Sequence, residues 1–504
     1  MGYGPALVLV LAGCLAAQIP TGFSVDNLSF DLDQPVGFDF VPDGRIIVAE
    51  QVTASIKVFA AGAIGTLGTV PGVNASSFLG GVLSVAVDPG WPARPYVYVY
   101  FSNSSPADLR LVMFTVTGNL ANPASTDLRL GSPYVVLDGI PDQCSANNGG
   151  AARFGPDGML YLSTGDDLLS PCNARKNDDL RGVVLRLDVS ALPGSGGGPP
   201  PKSLITPAGN PFSGPNDNAR LTFAYGLRNP FRFNIDSVTG HLFIADVGLS
   251  SQEEMNHGKG GENFGWPWFE GTRQHLSCGG SPPPITWPIA TYGREGPGPR
   301  SIVSFGLYRN AVGGQFNFGN IYEGDCFFLD FFGGWVRRIK WNGSMWAPAP
   351  QVPGQPSPVN WGEQFILISD ARVGQDGGIY FLLMLPGSLH RLRYTPVLPE
   401  VIAADTARAG KAFLVQCKRN PGDPVMLALG LVQIPPVPIS GAFGNVEIIG
   451  MPVAGGAIGS KGLFDFNFPE IPVQAIGISL YFQCVVSTAG ENYISKLKTV
   501  RVRK

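Results

Sequence analysis

The sequence is poor in charge. Lys, Arg, Asp and Glu make up 14% of its 504 residues and nearly cancel, to a formal net charge of −3. Typical soluble domains carry about 25%. The near balance leaves no electrostatic footprint for nucleic acid and no basic run for a membrane surface. Histidine is scarce: only His241, His257, His275 and His390 occur, and none sits in an H-E-x-x-H. A metalloprotease is thereby excluded. No G-x-x-x-x-G-K-[ST] loop and no C-x-x-C occurs, which argues against phosphate-loop, thioredoxin-like and zinc-ribbon chemistry. Beyond the N-terminus no apolar run has the length of a membrane helix, and no long amphipathic helical pattern is evident.

What is abundant is glycine, 67 residues, and proline, 45. The glycines have no three-residue period, so collagen is excluded. Apolar residues at 44% rule out a disordered chain. Many turns joining uncharged strands account for this composition. One element recurs: an acidic or Gly-rich turn followed by an apolar strand. It reads Pro42-Asp43-Gly44 before Ile46-Ile47-Val48, Ala93-Arg94-Pro95 before Tyr96-Val97-Tyr98, and Pro156-Asp157-Gly158 before Leu160-Tyr161-Leu162. It returns as Thr239-Gly240 before Leu242-Phe243-Ile244, Gly324-Asp325 before Cys326-Phe327-Phe328, and Asp376-Gly377-Gly378 before Ile379-Tyr380-Phe381. Such turns permit the positive φ of tight hairpins, and the strands are β-branched and aromatic. Internal repetition of this kind predicts a β-propeller over residues 18–396. A large sandwich or a solenoid is the alternative. Pro193 to Pro201 reads as a surface insertion.

Composition shifts near Pro396. Residues 397–504 carry their own alternating strands, ending in Val500-Arg501-Val502-Arg503, and this length suits a small C-terminal β-sandwich. At the other end, Pro5 to Ala17 is almost wholly apolar and is too short to span a bilayer. Residues 1–17 are therefore read as a secretory signal, with Ala16 and Ala17 supplying a small-residue cleavage site. Leu11-Ala12-Gly13-Cys14 also resembles a lipobox, in which Cys14 would carry a lipid anchor. Either route predicts a secreted, periplasmic or cell-envelope protein. Removing Cys14 leaves Cys144, Cys172, Cys278, Cys326, Cys417 and Cys484, an even number in an oxidising compartment. Sequence proximity favours Cys144–Cys172, Cys278–Cys326 and Cys417–Cys484.

Three stretches are denser in unusual residues than strands and turns require. They are Cys144 to Gly150 running on to Asp166, Tyr225 to Phe231, and Asp246 to Gly271. The second contains Gly226-Leu227-Arg228-Asn229-Pro230, the third Asn263-Phe264-Gly265-Trp266-Pro267 and Glu270-Gly271. Together with Gly81-Val82-Leu83 through Asp88-Pro89 they resemble, in order and spacing, the pyrroloquinoline quinone (PQQ)-dependent glucose/sorbosone dehydrogenases. The resemblance implies an all-β fold, a six-bladed β-propeller followed here by the small C-terminal β-sandwich. It implies PQQ and Ca²⁺ as cofactors and oxidation of an aldose sugar at its anomeric carbon, with hydride passing to the quinone. Arg228 and Asn229 fall on the family's quinone-contacting pair. Gly248 and Leu249 fall where backbone carbonyls bind the metal.

The departures are as informative. The family's catalytic His, in an H-x-G-G motif, is Asn147 here, and an amide cannot take a proton near neutral pH. Leu79 replaces a polar cofactor contact. Leu367 and Ser369 stand where glucose-oxidising members carry arginines for the quinone carboxylates, with Arg372 nearby. Two readings follow. One is a dehydrogenase with a substitute base, Asp142 or Asp166. The other is a catalytically inactive propeller that binds a sugar, a glycan or a protein partner through its channel face. A structural envelope role rests on the C-terminal module alone. Asp166, Asp167, Asp178 and Asp179 are either Ca²⁺-binding or solvated turn carboxylates, and Trp266 and Trp268 either line a sugar surface or pack.

Overall fold

A computed structural model describes residues 17–75, 79–294, 298–396 and, between 400 and 504, all but 409–410, 412, 420–422, 439–441, 444, 459–462, 469–470, 472 and 489–490. The expected signal segment and Cys14 lie outside the described residues. The chain divides into two compact units. One runs to Asn317 and from Gly324 to Arg393; the other comprises Phe318–Glu323 and Tyr394–Lys504.

Among the described residues, the first unit holds six four-stranded antiparallel sheets. The first is Pro35–Phe40, Ile46–Glu50, Ser55–Ala60 and Ala63–Thr69, and the second is Val82–Val87, Tyr96–Ser104, Ala107–Gly118 and Leu128–Pro141. The third is Ala152–Phe154, Leu160–Thr164, Val183–Leu187 and Thr222–Tyr225. The fourth is Pro230–Ile235, Leu242–Asp246, Gln252–Gly258 and Ala290–Gly293. The fifth is Ile302–Leu307, Asp325–Asp330, Val336–Trp341 and Trp346–Pro348. The sixth takes Ile368–Val373, Ile379–Leu383 and Ser388–Tyr394 from the end of the unit and Phe23–Ser29 from its beginning. The opening strands of successive sheets touch in cyclic order, and that of the sixth touches that of the first. This closed ring is a β-propeller, and the N-terminal strand fastens it by supplying the last strand of the sixth sheet.

The repeated turns join the first and second strands of each sheet. Their aspartates explain the motif. Asp43, Asp157 and Asp376 each accept, through Oδ1, the N–H two residues on, at 3.1, 3.1 and 3.0 Å, the Asx geometry that fixes a turn. The other oxygen braces the sheet. Asp157 accepts from Tyr161 and Arg186, both at 2.9 Å, and Asp376 from Tyr380 at 2.8 Å and Arg391 at 3.0 Å.

The opening strands are buried on both faces, as in Val82–Val87, whereas third strands such as Ser55–Ala60 alternate. Polar groups on the opening strands fill the channel. Arg232 is fully buried. Its Nε donates to Ser369 O at 2.9 Å, and its Nη atoms reach the carbonyls of Gly150, Val36 and Leu83. One side chain thus ties backbone from four sheets. Arg153 lies beside it in an ion pair with Asp370, its Nη2 donating to both carboxylate oxygens at 2.6 and 2.8 Å. Pro193 to Pro201 lies between the third and fourth strands of the third sheet.

In the second unit, Glu400–Ala403, Phe413–Lys418 and Leu463–Phe468 form a three-stranded sheet. A larger sheet is centred on Pro424–Pro438, Ser479–Thr488 and Lys498–Arg503. Val401, Val415 and Cys417 from the one and Leu427, Phe482 and Val500 from the other share a single apolar core.

Among the described residues two disulfides form, Cys172–Cys278 and Cys417–Cys484. The second agrees with the proximity pairing and joins the two sheets of the second unit. The other two expected pairs are corrected. Cys326 is an interior position of a fifth-sheet strand, packed in a core with Phe243 and Met255, so its thiol is remote from any loop partner. Cys144 is free; its Sγ lies 3.3 Å from Asp167 O. Cys172 instead meets the long loop of the fourth sheet, where Arg175 also donates to Gly279 O at 2.9 Å.

Candidate functional site

In every sheet of the ring the start of the first strand pairs with the end of the second, as Pro35 pairs with Glu50 and Pro230 with Asp246. The loops after the second strands and the segments entering the first strands therefore share one mouth of the channel. A cavity of about 290 Å³ opens there, lined by Asn147, Arg228, Asn229, Gly248 and Leu249 among others. The residues singled out from sequence thus converge. Leu79 also lines this cavity. Ser369 does not: it is buried and donates to Pro35 O at 2.6 Å. Arg372 pairs with Asp39 and lines a separate cavity of about 340 Å³ with residues at the far ends of the opening strands.

Asp246 sets the Arg–Asn pair. Its carboxylate accepts from the backbone N–H of Arg228 at 2.9 Å and of Asn229 at 2.6 Å. Pro230, next in line, needs no acceptor. The Asn229 side chain accepts from Gly149 N at 3.0 Å, which links this loop to the Asn147 loop. Asn147 lies in the left-handed region at φ 53°, a conformation asparagine tolerates. Its Nδ2 donates to Asp166 at 2.9 Å. Gly165 is required beneath it, because a Cβ there would lie 1.7 Å from Asn147 O.

Asp166 is 1% exposed and also accepts from Trp266 Nε1 and from Leu168 N, both at 2.9 Å. Asp142 is buried against Ser102 and is not part of the cavity wall. Neither expected substitute base presents a free carboxylate to the cavity. Asp167 is buried as well, and burial raises its pKa; Asp179 pairs with Arg181 at 2.9 Å. Among the described residues no group of three His, Cys, Asp or Glu could hold a metal ion. Trp266 and Trp268 are buried packing residues: Trp266 stacks on His275 at 4.9 Å, and Arg228 lies 5.7 Å over its ring.

The loop after Asp246 is built on a carboxylate. Glu270 Oε1 accepts from the backbone N–H of Leu249 at 2.7 Å, Ser250 at 2.8 Å, Ser251 at 2.9 Å and Gln252 at 3.3 Å. Burial would raise its pKa, but these donors hold it below the usual value. Asp246 and Glu254 face each other across the strands. Burial pushes both carboxyls up; Glu254 is raised further by Asp246, and Asp246 by Asp166.

Two arginines that sequence reasoning missed complete the cavity, Arg294 and Arg300. Arg294 pairs with the buried Glu253 and donates to Arg300 O at 2.9 Å. Burial lowers its pKa, and repulsion from Arg228 and Arg300 lowers it further. The signal was two arginines in one Gly- and Pro-rich stretch of sequence, Arg294 to Arg300.

The implied cofactors can be tested against this geometry. Arg228 Nη1 donates to the carbonyls of both Val247 and Gly248 at 2.8 Å. A guanidinium thus holds the Gly248 carbonyl on which Ca²⁺ would depend. A cation needing six to eight oxygens does not fit beside it. Three guanidiniums and an apolar wall of Phe231, Phe331 and Phe332 do suit an anion with a flat apolar body. The set accommodates the charge of the quinone but not its metal or its base, so no catalytic step is derived through it.

Fold and cavity together define a β-propeller with a cationic pocket at one mouth of its channel. Residues 32–282 match the glucose/sorbosone dehydrogenase family, and the chain belongs to that family. It is 34% identical over 172 residues to the HIPL2 protein of Arabidopsis thaliana, covering 31% of this chain and 24% of that one. It is 30% identical over 167 residues to the human hedgehog-interacting protein, covering 31% and 22%. These matches span about a quarter of each relative's length. The PQQ-bound aldose sugar dehydrogenase of Streptomyces coelicolor superimposes with a TM-score of 0.55 at 25% identity, over 74% of this chain and 99% of the other.

Proposed function

We propose that this chain is a secreted six-bladed propeller, residues 18–396, followed by a β-sandwich, residues 397–504. On this reading it keeps the family pocket as a binding site and has lost the chemistry. The observation that carries the proposal is the Asn147 amide, at the family's base position, donating to Asp166. An amide has no basic lone pair to receive the proton that leaves a sugar hydroxyl. The buried carboxylate behind it already accepts from three donors. Two disulfides support export to an oxidising compartment, and a relative named for an interaction supports a binding role.

The test is titration of the purified full chain with PQQ and Ca²⁺, followed by dye-linked oxidation of a panel of aldoses. The expected result is no sugar-dependent dye reduction. Reduction that requires PQQ would overturn the proposal. The second reading, a dehydrogenase with a remodelled site, is favoured by the retained Arg228–Asn229 pair and the cationic wall. On that reading Arg228→Ala abolishes sugar-dependent dye reduction.

A further inference from the structure

The geometry points to a protein partner that inserts an acidic side chain, borne between apolar residues, into the channel-mouth pocket. This inference rests on the binding reading above and names the occupant. Arg228, Arg294 and Arg300 line the pocket, and among the described residues no carboxylate does. Arg228 is 7% exposed, and its Nε is buried without a hydrogen-bond partner. Hydrogen bonds from guanidiniums to an entering carboxylate are charge-assisted and among the strong ones.

The surroundings select the carrier of that carboxylate. The mouth bears an exposed apolar residue from the loops of every sheet: Val52, Leu79, Leu169, Leu249, Phe332 and Leu385. Leu79, Leu249 and Phe332 are also pocket walls, and Val52 and Leu385 follow the wall residues Gln51 and Met384. A free sugar acid would match the arginines but not this rim, and the nearby tryptophans that would stack on a sugar are buried. An apolar ring around a recessed cationic centre complements a loop with one acid among apolar side chains. A membrane surface presents its anions in a plane instead of on a projecting point.

The probe is a phage-displayed library of disulfide-cyclised random peptides, panned on the full-length protein. Enriched peptides are then synthesised and titrated by fluorescence anisotropy. Expected is enrichment of Asp or Glu flanked by Leu, Phe or Val. The acid-to-amide peptide and Arg300→Gln each weaken binding tenfold or more, Phe332→Ser several-fold, and both protein variants keep the parent melting temperature. Enrichment without an acid, no enrichment, or binding unmoved by Arg300→Gln overturns the inference. So does rim-dependent binding to phosphatidylcholine–phosphatidylglycerol vesicles in place of peptide. Dye reduction with PQQ would defeat the binding reading; a peptide failure without dye reduction defeats only this choice of occupant.

Discussion

The channel holds two arginine clusters that differ in kind. Inside, Arg153 and Arg232 flank Asp370, and Arg232 spends its donors on carbonyls from four sheets. At the mouth, Arg228 leaves Nε unpaired and Arg294 is crowded by two other cations. The interior cluster satisfies the backbone of a closed ring, where an unpaired carbonyl would be costly. The mouth cluster holds loops in place and lines a cavity whose described wall carries no carboxylate. One residue type therefore serves cohesion at one depth and recognition at another, and what the guanidiniums face separates the two: Asp370 and backbone carbonyls inside, an open cavity at the mouth.

Breaking the interior should have the largest effect. Arg232→Met strands the carbonyls of Val36, Gly150 and Ser369 and is expected to cost about 3–5 kcal/mol of stability, the range for breaking a buried charged network. Urea unfolding of the first unit measures it. A loss under about 1 kcal/mol would mean that water replaces the guanidinium and that the plug is not structural. The mouth has a smaller lever in Glu270. Glu270→Gln keeps one acceptor oxygen but removes the charge from four amide bonds, for an expected cost of about 1–2 kcal/mol. Increased hydrogen exchange should be confined to residues 249–252.

Much of this contrast was legible in advance, for local reasons. The six turn motifs each join a first and a second strand, because turn chemistry is local: three of them are fixed by an Asx bond within four residues. Residues Asn147, Arg228, Asn229, Gly248 and Leu249 were found through the family spacing and converge on one cavity. What stayed hidden is non-local. Phe23–Ser29 pairs with Ser388–Tyr394 across the whole unit, and no periodicity announces that. Cys172 meets Cys278 over a separation of 106 residues, because two loops share a rim; proximity chose nearer partners. Arg294 and Arg300 carry no motif and gain meaning only from the cations beside them.

Acid should distinguish the interior from the mouth more gently. Burial depresses the pKa of His390 to about 4, and burial followed by repulsion from His241 depresses that of His257 to about 4. An unfolded histidine titrates near 6.5. Between these values the unfolded chain binds more protons, so this contribution to stability is present above about pH 6.5 and is lost as pH falls toward 4. The raised Asp246–Glu254 pair acts oppositely, holding in the folded state a proton that the unfolded chain releases. His390→Phe should therefore flatten the melting-temperature profile from pH 6.5 to 4 relative to the parent. An unchanged profile would show that His390 protonates in place.

The smallest expected effect is the most discriminating at the mouth. Asn147→His restores the imidazole of the family motif at a left-handed position that histidine also tolerates. It gives up one hydrogen bond to Asp166, worth about 1.5 kcal/mol or less if the ring cannot replace it. The silent-site reading expects no dye-linked aldose oxidation from this variant, with PQQ and Ca²⁺ supplied. The base is then present, but Arg228 still occupies the Val247 and Gly248 carbonyls. Oxidation above background would show that the guanidinium yields to the cofactor and that Asn147 alone silences the enzyme. Oxidation appearing only in Asn147→His combined with Arg228→Lys would assign the block to the guanidinium.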